Sequence, residues 1–195
     1  MILSAALPPG ARVNEVAVAR ELGISRTPLR EALFGLEREG LVVSQPRRGF
    51  FVSPLDVRDA REVYPLLATL EALALRTGAK AIAADKVALE RLNSAFRAAA
   101  TRDPIDAVEA DRAWHERLVS HCKNERLIAM VQHLRAAALR FELQFLAEPQ
   151  SAAESGRQHA AILDATAHGA LARAARVLEG NWMRGLRRVE QGMRS

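Results

Sequence analysis

The sequence predicts a mostly α-helical protein with two domains: a short N-terminal domain that combines helices with a small β-hairpin, and a longer all-α bundle. Two observations support this fold class. Residues 14–52 contain two short helical patterns separated by a glycine, followed by two β-prone runs around a basic turn. After Pro54 the chain is rich in Ala, Leu, Arg and Glu, with apolar residues at helical spacing almost to its end. We therefore expect domains at 1–54 and 55–195.

The composition is that of an ordinary globular protein, with 49% hydrophobic and 26% charged residues among 195. The net charge of +5 permits nucleic-acid binding without demonstrating it. A single cysteine, Cys122, excludes an internal disulfide and fits a reducing compartment. Residues 1–10 resemble neither a signal peptide nor an anchor, and no apolar run reaches membrane-spanning length. These features predict a cytoplasmic protein with no membrane partner.

The first two predicted helices have the pattern of a helix-turn-helix. The first covers residues 15–22 and ends at Gly23, which suits the left-handed conformation of a sharp turn. Thr27 is the predicted N-cap of the second helix, and Pro28 suits its first turn. The apolar side chains expected to pack inward are Val16, Ala19 and Leu22 on the first helix and Leu29, Leu33 and Leu36 on the second.

A basic hairpin is predicted after this helix pair. Residues 41–44 and 49–52 are the expected strands, because branched and aromatic residues flank the turn Gln45-Pro46-Arg47-Arg48. Two helices followed by such a hairpin are typical of a winged helix-turn-helix, whose second helix enters the major groove of duplex DNA. The N-terminal domain is therefore predicted to bind DNA.

Three side chains at the start of the second helix are candidate DNA contacts, namely Arg26, Thr27 and Arg30. Arginine pairs bidentately with guanine, whereas the Thr27 hydroxyl suits phosphate. Arg47 and Arg48 at the hairpin tip are expected to meet the DNA backbone or the minor groove. Isolated arginines more often only solvate an exposed face. The turn, the cap and the basic hairpin in register favour DNA binding instead.

The same segment resembles the winged helix of GntR-family transcription regulators. The similarity lies in Leu7-Pro8-Pro9-Gly10, Asn14-Glu15, the run from Leu22 to Leu33 (LGISRTPLREAL) and the run from Leu36 to Leu41 (LEREGL). By this resemblance Arg26, Thr27 and Arg30 contact bases and phosphates, and Arg47 to Gly49 form the wing. The family's winged helix normally starts with a full helix before the Leu-Pro-Pro-Gly turn. Here only residues 2–6 remain of it, which predicts a misassigned, trimmed or truncated first helix.

Helix breakers divide the second domain into about six predicted helices. Asp103-Pro104 starts the third, because Asp caps a helix and Pro suits its first turn. The other predicted spans are 57–78, 85–101, from near Glu125 to before Pro149, 152–168, and from 170 almost to the C-terminus.

Four side chains of this domain could share one metal ion. Asp111 and His115 are four residues apart on the third helix, so both leave the same face. His159 lies ten residues before the turn at Gly169 and Asn181 twelve after it, so an antiparallel helix pair brings them side by side. A carboxylate, two imidazoles and an amide oxygen suit a divalent ion with open positions for an external ligand. Spacing alone supports this weakly, because His and Asp at helical spacing are common without a metal.

The second domain is similar to the helical ligand-binding domain of the FadR-type branch of GntR regulators. The similar segments are Asp111-Arg112-Ala113-Trp114-His115, Asn124-Glu125-Arg126-Leu127 and His159-Ala160-Ala161-Ile162-Leu163-Asp164-Ala165. In many members an Asp and three His bind a metal, often zinc or nickel, and a small carboxylic acid completes its coordination. The resemblance puts Asp111, His115 and His159 at three of those positions. Asn181 stands in place of the third His, and Leu67 in place of an Arg that faces the effector in many relatives.

The sequence leaves three functions open. The leading hypothesis is a repressor that binds a pseudo-palindromic operator in double-stranded DNA as a homodimer and responds to a small-molecule effector, expected to be a carboxylate, in its helical domain. The second is a metal-dependent all-α enzyme in which Asp111, His115 and His159 activate water. Against it, Glu116 points away from their helix face, so no general base accompanies them. The third is a constitutive DNA-binding dimer without an effector site.

Overall fold

The computed structural model describes residues 7–38, 40–143 and 149–194. The chain divides between Asp56 and Val57 into two compact units, which we call the N-terminal unit and the helical unit. The predicted fold class is confirmed, since most of the described chain is helical and a two-strand antiparallel hairpin follows the first two helices. Residues 2–6, the expected remnant of a preceding helix, lie outside the described residues. No helix within the described ranges is long and apolar enough to cross a bilayer.

The predicted helix-turn-helix is present in the N-terminal unit. Helix α1 (Glu15–Leu22) is capped by the side chain of Asn14, whose Oδ1 accepts the backbone N–H of Ala17 at 3.1 Å. Gly23 ends the helix with φ at 65°, and its backbone N–H donates to the carbonyl of Arg20 at 3.3 Å. The glycine turn predicted between the two helices is therefore confirmed.

Helix α1 buries a different side from the predicted one. Val18 and Ala19 are buried, whereas Val16 and Leu22, which were expected to pack inward, are 63% and 54% exposed. Val16 lies roughly 200° around the helix axis from Val18, on the opposite side. Leu22 is the last residue of the helix, where Gly23 turns the chain away. A helix of about two turns offers too few positions for apolar spacing to define its buried side.

Helix α2 (Arg26–Arg38) begins before Thr27, so the predicted N-cap at Thr27 is wrong. Ser25 directly precedes the helix, and its carbonyl accepts the N–H of Leu29 at 3.5 Å. Thr27 therefore lies inside the first turn. The predicted inward stripe is confirmed, with two buried side chains and one partly buried: Leu29, Leu33 and Leu36.

The hairpin consists of strand β1 (Val42–Gln45) and strand β2 (Gly49–Val52). They pair antiparallel, with Gln45 opposite Gly49. Strand β1 starts and ends one residue later than predicted, and β2 is as predicted. Arg47 in the turn has a φ of 62°, and Gly49, the first residue of β2, has a φ of 90°. Phe50 is buried in the core of the unit, which fixes one face of the hairpin against the helices.

The helical unit contains six helices in the part of the chain that the structure describes, as predicted. Helix α3 packs against α5, α6, α7 and α8, so it is the central helix of the bundle. Asp103 caps α5, since its Oδ1 accepts the N–H groups of Ile105 and Asp106 at 2.7 and 3.2 Å. The bounds are α3 Val57–Ala84, α4 Lys86–Ala99, α5 Pro104–Ser120, α6 Glu125–Phe141, α7 Pro149–Ala167 and α8 Leu171–Gly192.

The predicted end of α3 at Gly78 is wrong, because the helix continues to Ala84. Gly78 is buried against the end of α5. A Cβ on it would lie 2.9 Å from the carbonyl carbon and oxygen of His121 and 3.1 Å from the backbone nitrogen of Cys122. The glycine therefore permits the close approach of two helices and does not end one.

Asp85 fastens the turn between α3 and α4 to the same end of α5. Its carboxylate accepts hydrogen bonds from Arg117 Nε at 2.6 Å and from Arg117 Nη2 at 3.0 Å. Its Oδ2 also lies 2.9 Å from Nε2 of His121. Three helices are thus joined by one carboxylate.

Candidate nucleic-acid interface and metal site

The predicted DNA contacts lie on two elements of the N-terminal unit. Arg26, Thr27 and Arg30 are exposed at the start of α2, and Arg47 and Arg48 are exposed in the turn of the hairpin. Arg30 and both hairpin arginines border one surface cleft, so the helix start and the hairpin tip face a common space. This is the arrangement that a basic wing beside a recognition helix requires.

A carboxylate that sequence reasoning missed holds the helix arginines. Glu15 begins α1, its side chain is only 12% exposed, and its Oε2 lies 3.2 Å from Arg30 Nη1 and 4.0 Å from Arg26 Nη2. A Cβ on Gly49 would lie 3.5 Å from Glu15 Oε1, so the predicted wing glycine covers the same carboxylate. Glu15 therefore joins α1, α2 and the hairpin. The sequence does not single it out, because an acid in the first turn is also explained by the helix dipole.

Arg30 also lies against two aromatic rings. Its guanidinium carbon is 5.9 Å from the ring centroid of Phe34 and 5.6 Å from that of Phe50. The two rings meet edge to face with centroids 5.1 Å apart. The rings and Glu15 restrict a flexible side chain before any ligand arrives, which lowers the entropy lost when that side chain binds.

The helical unit brings together three of the four predicted metal ligands. Asp111 and His115 project from α5 and His159 from α7, and one ligand atom of each lies within 4.8 Å of the others. His115 Nε2 lies 3.7 Å from Asp111 Oδ2, and His159 Nε2 lies 3.5 Å from Asp111 Oδ1. We call these three residues the triad. Two imidazoles and one carboxylate are ligands for a divalent metal that leave positions open to a further molecule.

Hydrogen bonds on the far side of each imidazole fix its direction. Nδ1 of His115 lies 2.6 Å from Glu71 Oε2, and Nδ1 of His159 lies 3.1 Å from Asn93 Oδ1. Asn93 Nδ2 donates to a backbone carbonyl of α7 at 2.9 Å, which leaves its oxygen for His159. With Nδ1 donating in both rings, both Nε2 lone pairs face Asp111. Among the described residues the buried Nε2 of His159 has no hydrogen-bond partner. Such outer hydrogen bonds orient metal-binding imidazoles.

Three carboxylates around the triad share one arginine. Arg135 Nη1 lies 3.4 Å from Glu71 Oε1, and Arg135 Nη2 lies 3.9 Å from Asp111 and 4.0 Å from Glu142. Trp182 Nε1 donates to Glu71 Oε2 at 2.9 Å. A buried group of charges is stable when its charges are balanced. The excess of carboxylate over guanidinium suits a divalent cation.

Both tryptophans pack on imidazoles of the triad. Trp114 stacks on His159, with ring centroids 3.7 Å apart and 9° between the planes. The ring of Trp182 lies 5.2 Å from that of His115 and 5.0 Å from the guanidinium carbon of Arg135. These rings keep water away from two of the candidate ligands.

Burial and neighbouring charges set the protonation of the site. Burial lowers the pKa of His159 well below its ordinary value, and the neighbouring His115 and Arg135 lower it further. His159 is therefore neutral at neutral pH, the form that binds metal. Burial raises the pKa of Asp111 against the attraction of His115 and Arg135. Burial also acts to raise the pKa of Glu71, but its interaction with the hydrogen-bonded His115 and the charge of Arg135 outweigh burial, so this pKa is lowered.

A small cavity of about 50 Å³, partly open to solvent, lies beside the triad. Asp111 and His115 form one part of its wall. Tyr64 forms another, and its buried hydroxyl has no hydrogen-bond partner in the described part of the chain. This space admits a few water molecules or a very small ligand. Further wall residues are Phe96, Ser151, Ser155, Asn181, Trp182, Arg184 and Arg188.

Asn181 lines this cavity, but its amide is engaged elsewhere. One end of the amide lies 2.7 Å from the amide of Gln158 and 3.3 Å from Oγ of Ser155. Leu67 is fully buried in the core. Leu67 therefore does not reach the triad, but Glu71, four residues further along α3, does. In the sequence, Glu71 interrupts the apolar stripe formed by Leu67 and Leu75, which marks a buried polar residue but does not indicate what it contacts.

Two protein families match this chain. Residues 1–52 match the bacterial regulatory proteins of the gntR family, and residues 62–181 match the FCD domain. The chain belongs to the GntR family of regulators, in the branch with an FCD domain. This confirms the resemblance on which the sequence-based expectations depend.

Relatives of this GntR-family protein are transcription regulators and not enzymes, which is contrary to the metal-dependent enzyme hypothesis. The chain is 30% identical over 138 residues to the uncharacterized HTH-type transcriptional regulator YdhC of Bacillus subtilis (strain 168), covering 69% of this chain and 61% of YdhC. It is 34% identical over 140 residues to the Nta operon transcriptional regulator of Aminobacter aminovorans, covering 69% and 64%. The chain thus spans less than two thirds of the length of these two relatives.

Solved structures of GntR-family proteins share the fold. McbR/YncC of E. coli is similar with a TM-score of 0.77 and 21% identity, covering 97% of this chain and 92% of that one. A putative GntR regulator from Rhodococcus sp. RHA1 is similar with a TM-score of 0.72 and 21% identity, over the same 97% and 92%. At this level of identity the similarity establishes the fold alone.

Proposed function

We propose that this GntR-family protein is a repressor that binds a pseudo-palindromic operator in double-stranded DNA. The observation that carries the proposal is the pair of arginines at the start of α2, held by Glu15 beside a basic hairpin turn. Arg26 and Arg30 are expected to read base edges and Thr27 to bind phosphate. Residues 47–49 are expected to contact the DNA backbone or the minor groove. A protein with this task acts in the cytoplasm, where the operator is.

Fluorescence anisotropy with a labelled duplex from the promoter of the protein's own gene tests DNA binding. We expect Arg26→Ala and Arg30→Ala each to weaken binding by about 1–3 kcal/mol and to reduce discrimination against a scrambled duplex. Arg91→Ala removes an exposed arginine of α4 and is the matched control, which should leave the affinity unchanged. Unaltered operator binding in both α2 variants would refute the proposal.

A homodimer is proposed because one winged unit reads only a few base pairs, and two units about one helical turn apart multiply the specificity. The helical unit is expected to supply the dimer surface. Sedimentation velocity with the promoter duplex should find two chains per operator. A saturated complex with a single chain would refute the homodimer.

The helical unit is proposed to bind a small carboxylic acid through a divalent ion, zinc or nickel, held by Asp111, His115 and His159. Support comes from the convergence of their ligand atoms, from the buried Nε2 of His159 that has no partner in the described chain, and from the excess of carboxylate around Arg135. The ion would supply positive charge and open coordination positions. The rest of the effector would lie in the adjoining cavity, which is partly open to solvent. An effector regulates DNA binding only if it binds two conformational states with different affinities.

Calorimetry with Ni²⁺ tests the metal site. His115→Ala and His159→Ala should abolish tight binding, whereas His168→Ala, which removes an exposed imidazole just after α7, should not. Carboxylic acids can then be screened by thermal shift on the nickel-loaded protein, since a true ligand stabilises according to its concentration over its dissociation constant. Equal nickel affinity in all three variants would refute the metal site. A ligand that stabilises the protein without changing its DNA affinity would leave the constitutive dimer as the function.

A further inference from the structure

We propose that Asn181 is a hydrogen-bond donor to the bound ligand and does not coordinate the metal. A chain of polar contacts from Glu154 through Arg184 and Gln158 turns the Asn181 amide so that its NH2 group faces the cavity. This inference rests on the proposed metal and carboxylate site, because it assigns Asn181 a role within that site.

The donor and acceptor roles in this series of polar contacts are determined by Arg184 on α8. Its Nη1 lies 3.0 Å from Oε1 of Glu154 on α7, which fixes the guanidinium. Its Nη2 and Nε, the latter at 3.1 Å, both face one end of the Gln158 amide. A guanidinium has only donors, so the atom that it faces must be the Gln158 oxygen. The oxygen and nitrogen of an amide are assigned from their hydrogen-bond partners, and the Arg184 donors require the Gln158 oxygen at this end.

The other end of the Gln158 amide is then its NH2 group, and it faces Asn181 at 2.7 Å. Two NH2 groups cannot bind each other, so the Asn181 atom at this contact must be Oδ1. The hydroxyl of Ser155, at 3.3 Å, donates to the same oxygen. Gln158 is only 8% exposed, so water cannot replace a mismatched partner and the penalty for the reverse arrangement is large.

Asn181 lines the cavity. The oxygen end of its amide is already occupied by two donors, the NH2 group of Gln158 and the hydroxyl of Ser155. The NH2 group of Asn181 is the end left for the cavity. An amide NH2 has donors only and no lone pair for a metal. The ion therefore has three protein ligands, and the oxygen of a ligand carboxylate meets a donor at Asn181.

Nickel calorimetry on three variants tests the role of Asn181. Asn181→Ala should leave the nickel affinity within about twofold of wild type, because no ligand is lost. Gln158→Glu keeps the acceptor for Arg184 but replaces the NH2 by a second acceptor, so the Asn181 amide rotates and presents its oxygen to the ion. Nickel should then bind about tenfold more tightly, the lower end of the effect of a ligand-orienting group. The double variant Gln158→Glu with Asn181→Ala should lose this gain, which separates a new ligand from an added negative charge.

Amide hydrogen exchange in the metal-free protein, measured by NMR with ¹⁵N-labelled Asn and Gln, tests the orientation directly. The side-chain NH2 of Gln158 should be protected and that of Asn181 should exchange rapidly, with the signals assigned from the single variants. A protected Asn181 NH2, or a tenfold loss of nickel affinity in Asn181→Ala, would overturn the inference. Absence of nickel binding by the wild type would instead refute the proposed metal site, and the exchange pattern would still decide the orientation of Asn181.

Discussion

Replacement of Gly78 by alanine tests whether the close approach of α3 and α5 determines the stability of the helical unit. Alanine has an advantage of about 1 kcal/mol over glycine inside a helix. Its Cβ would, however, lie 2.9 Å from the carbonyl carbon and oxygen of His121 and 3.1 Å from the nitrogen of Cys122. These are backbone atoms, so the two helices themselves must separate. Overpacking costs about 1–3 kcal/mol, and backbone contacts favour the upper end, which gives a net loss of about 2 kcal/mol.

Urea denaturation followed by far-UV circular dichroism measures this loss as a change in the free energy of unfolding. Gly180→Ala is the matched control, because Gly180 also lies inside a helix but a Cβ there would meet no described atom within 4 Å beyond the backbone of its own helix turns. It should gain up to about 1 kcal/mol. Equal stabilisation by both substitutions would show that Gly78 is not held by the contact with α5.

Three further substitutions probe other contacts. Glu71→Gln removes the charge behind one triad imidazole and should weaken nickel binding about 10–100-fold by calorimetry, whereas an unchanged affinity would contradict its orienting role. Glu15→Gln removes a negative charge beside the arginines of α2, so binding to scrambled DNA should tighten and the ratio of specific to non-specific affinity should fall in anisotropy; a constant ratio would contradict this. The hydrogen bond from Arg117 lowers the pKa of Asp85 from 3.8 to about 2, so the stabilisation by its carboxylate is complete above about pH 4 and is lost as the pH falls through about 2. Asp85→Asn should therefore lower Tm near neutral pH, and its difference from wild type should shrink between about pH 4 and 2; a difference that grows on acidification would count against this account.

The sequence predicts those elements whose residues act through their own backbone conformation. Gly23 and the turn at 45–48 determine the helix-turn-helix and the hairpin locally, and both are present. Predictions fail where a neighbouring element decides the outcome. Gly78 has the residue type of a helix end, but it lies inside α3, where the missing side chain lets α5 approach closely. Val16 has the residue type of a core position, but α1 buries its other side.

The residues of the candidate site also fall into those that the sequence could predict and those that it could not. Asp111 and His115 could be predicted as neighbours because one helix turn places them on one face. Glu71, Asn93 and Arg135 could not, since they come from α3, α4 and α6. Their approach to the triad depends on how each helix is rotated about its axis, and spacing within a single helix does not determine that rotation.

The positions of Trp114 and Trp182 give the protein an optical reporter of its own. They are the only two tryptophans of the sequence; Trp182 packs on His115, and Trp114 packs on both imidazoles of the triad. Indole emission from the unlabelled protein therefore originates beside the candidate ligands and not in the N-terminal unit. Nickel, with its unfilled d shell, quenches nearby indoles, whereas d¹⁰ zinc does not. One fluorescence titration can thus distinguish the two ions, and a change in emission on adding DNA would reveal coupling from the operator back to the triad.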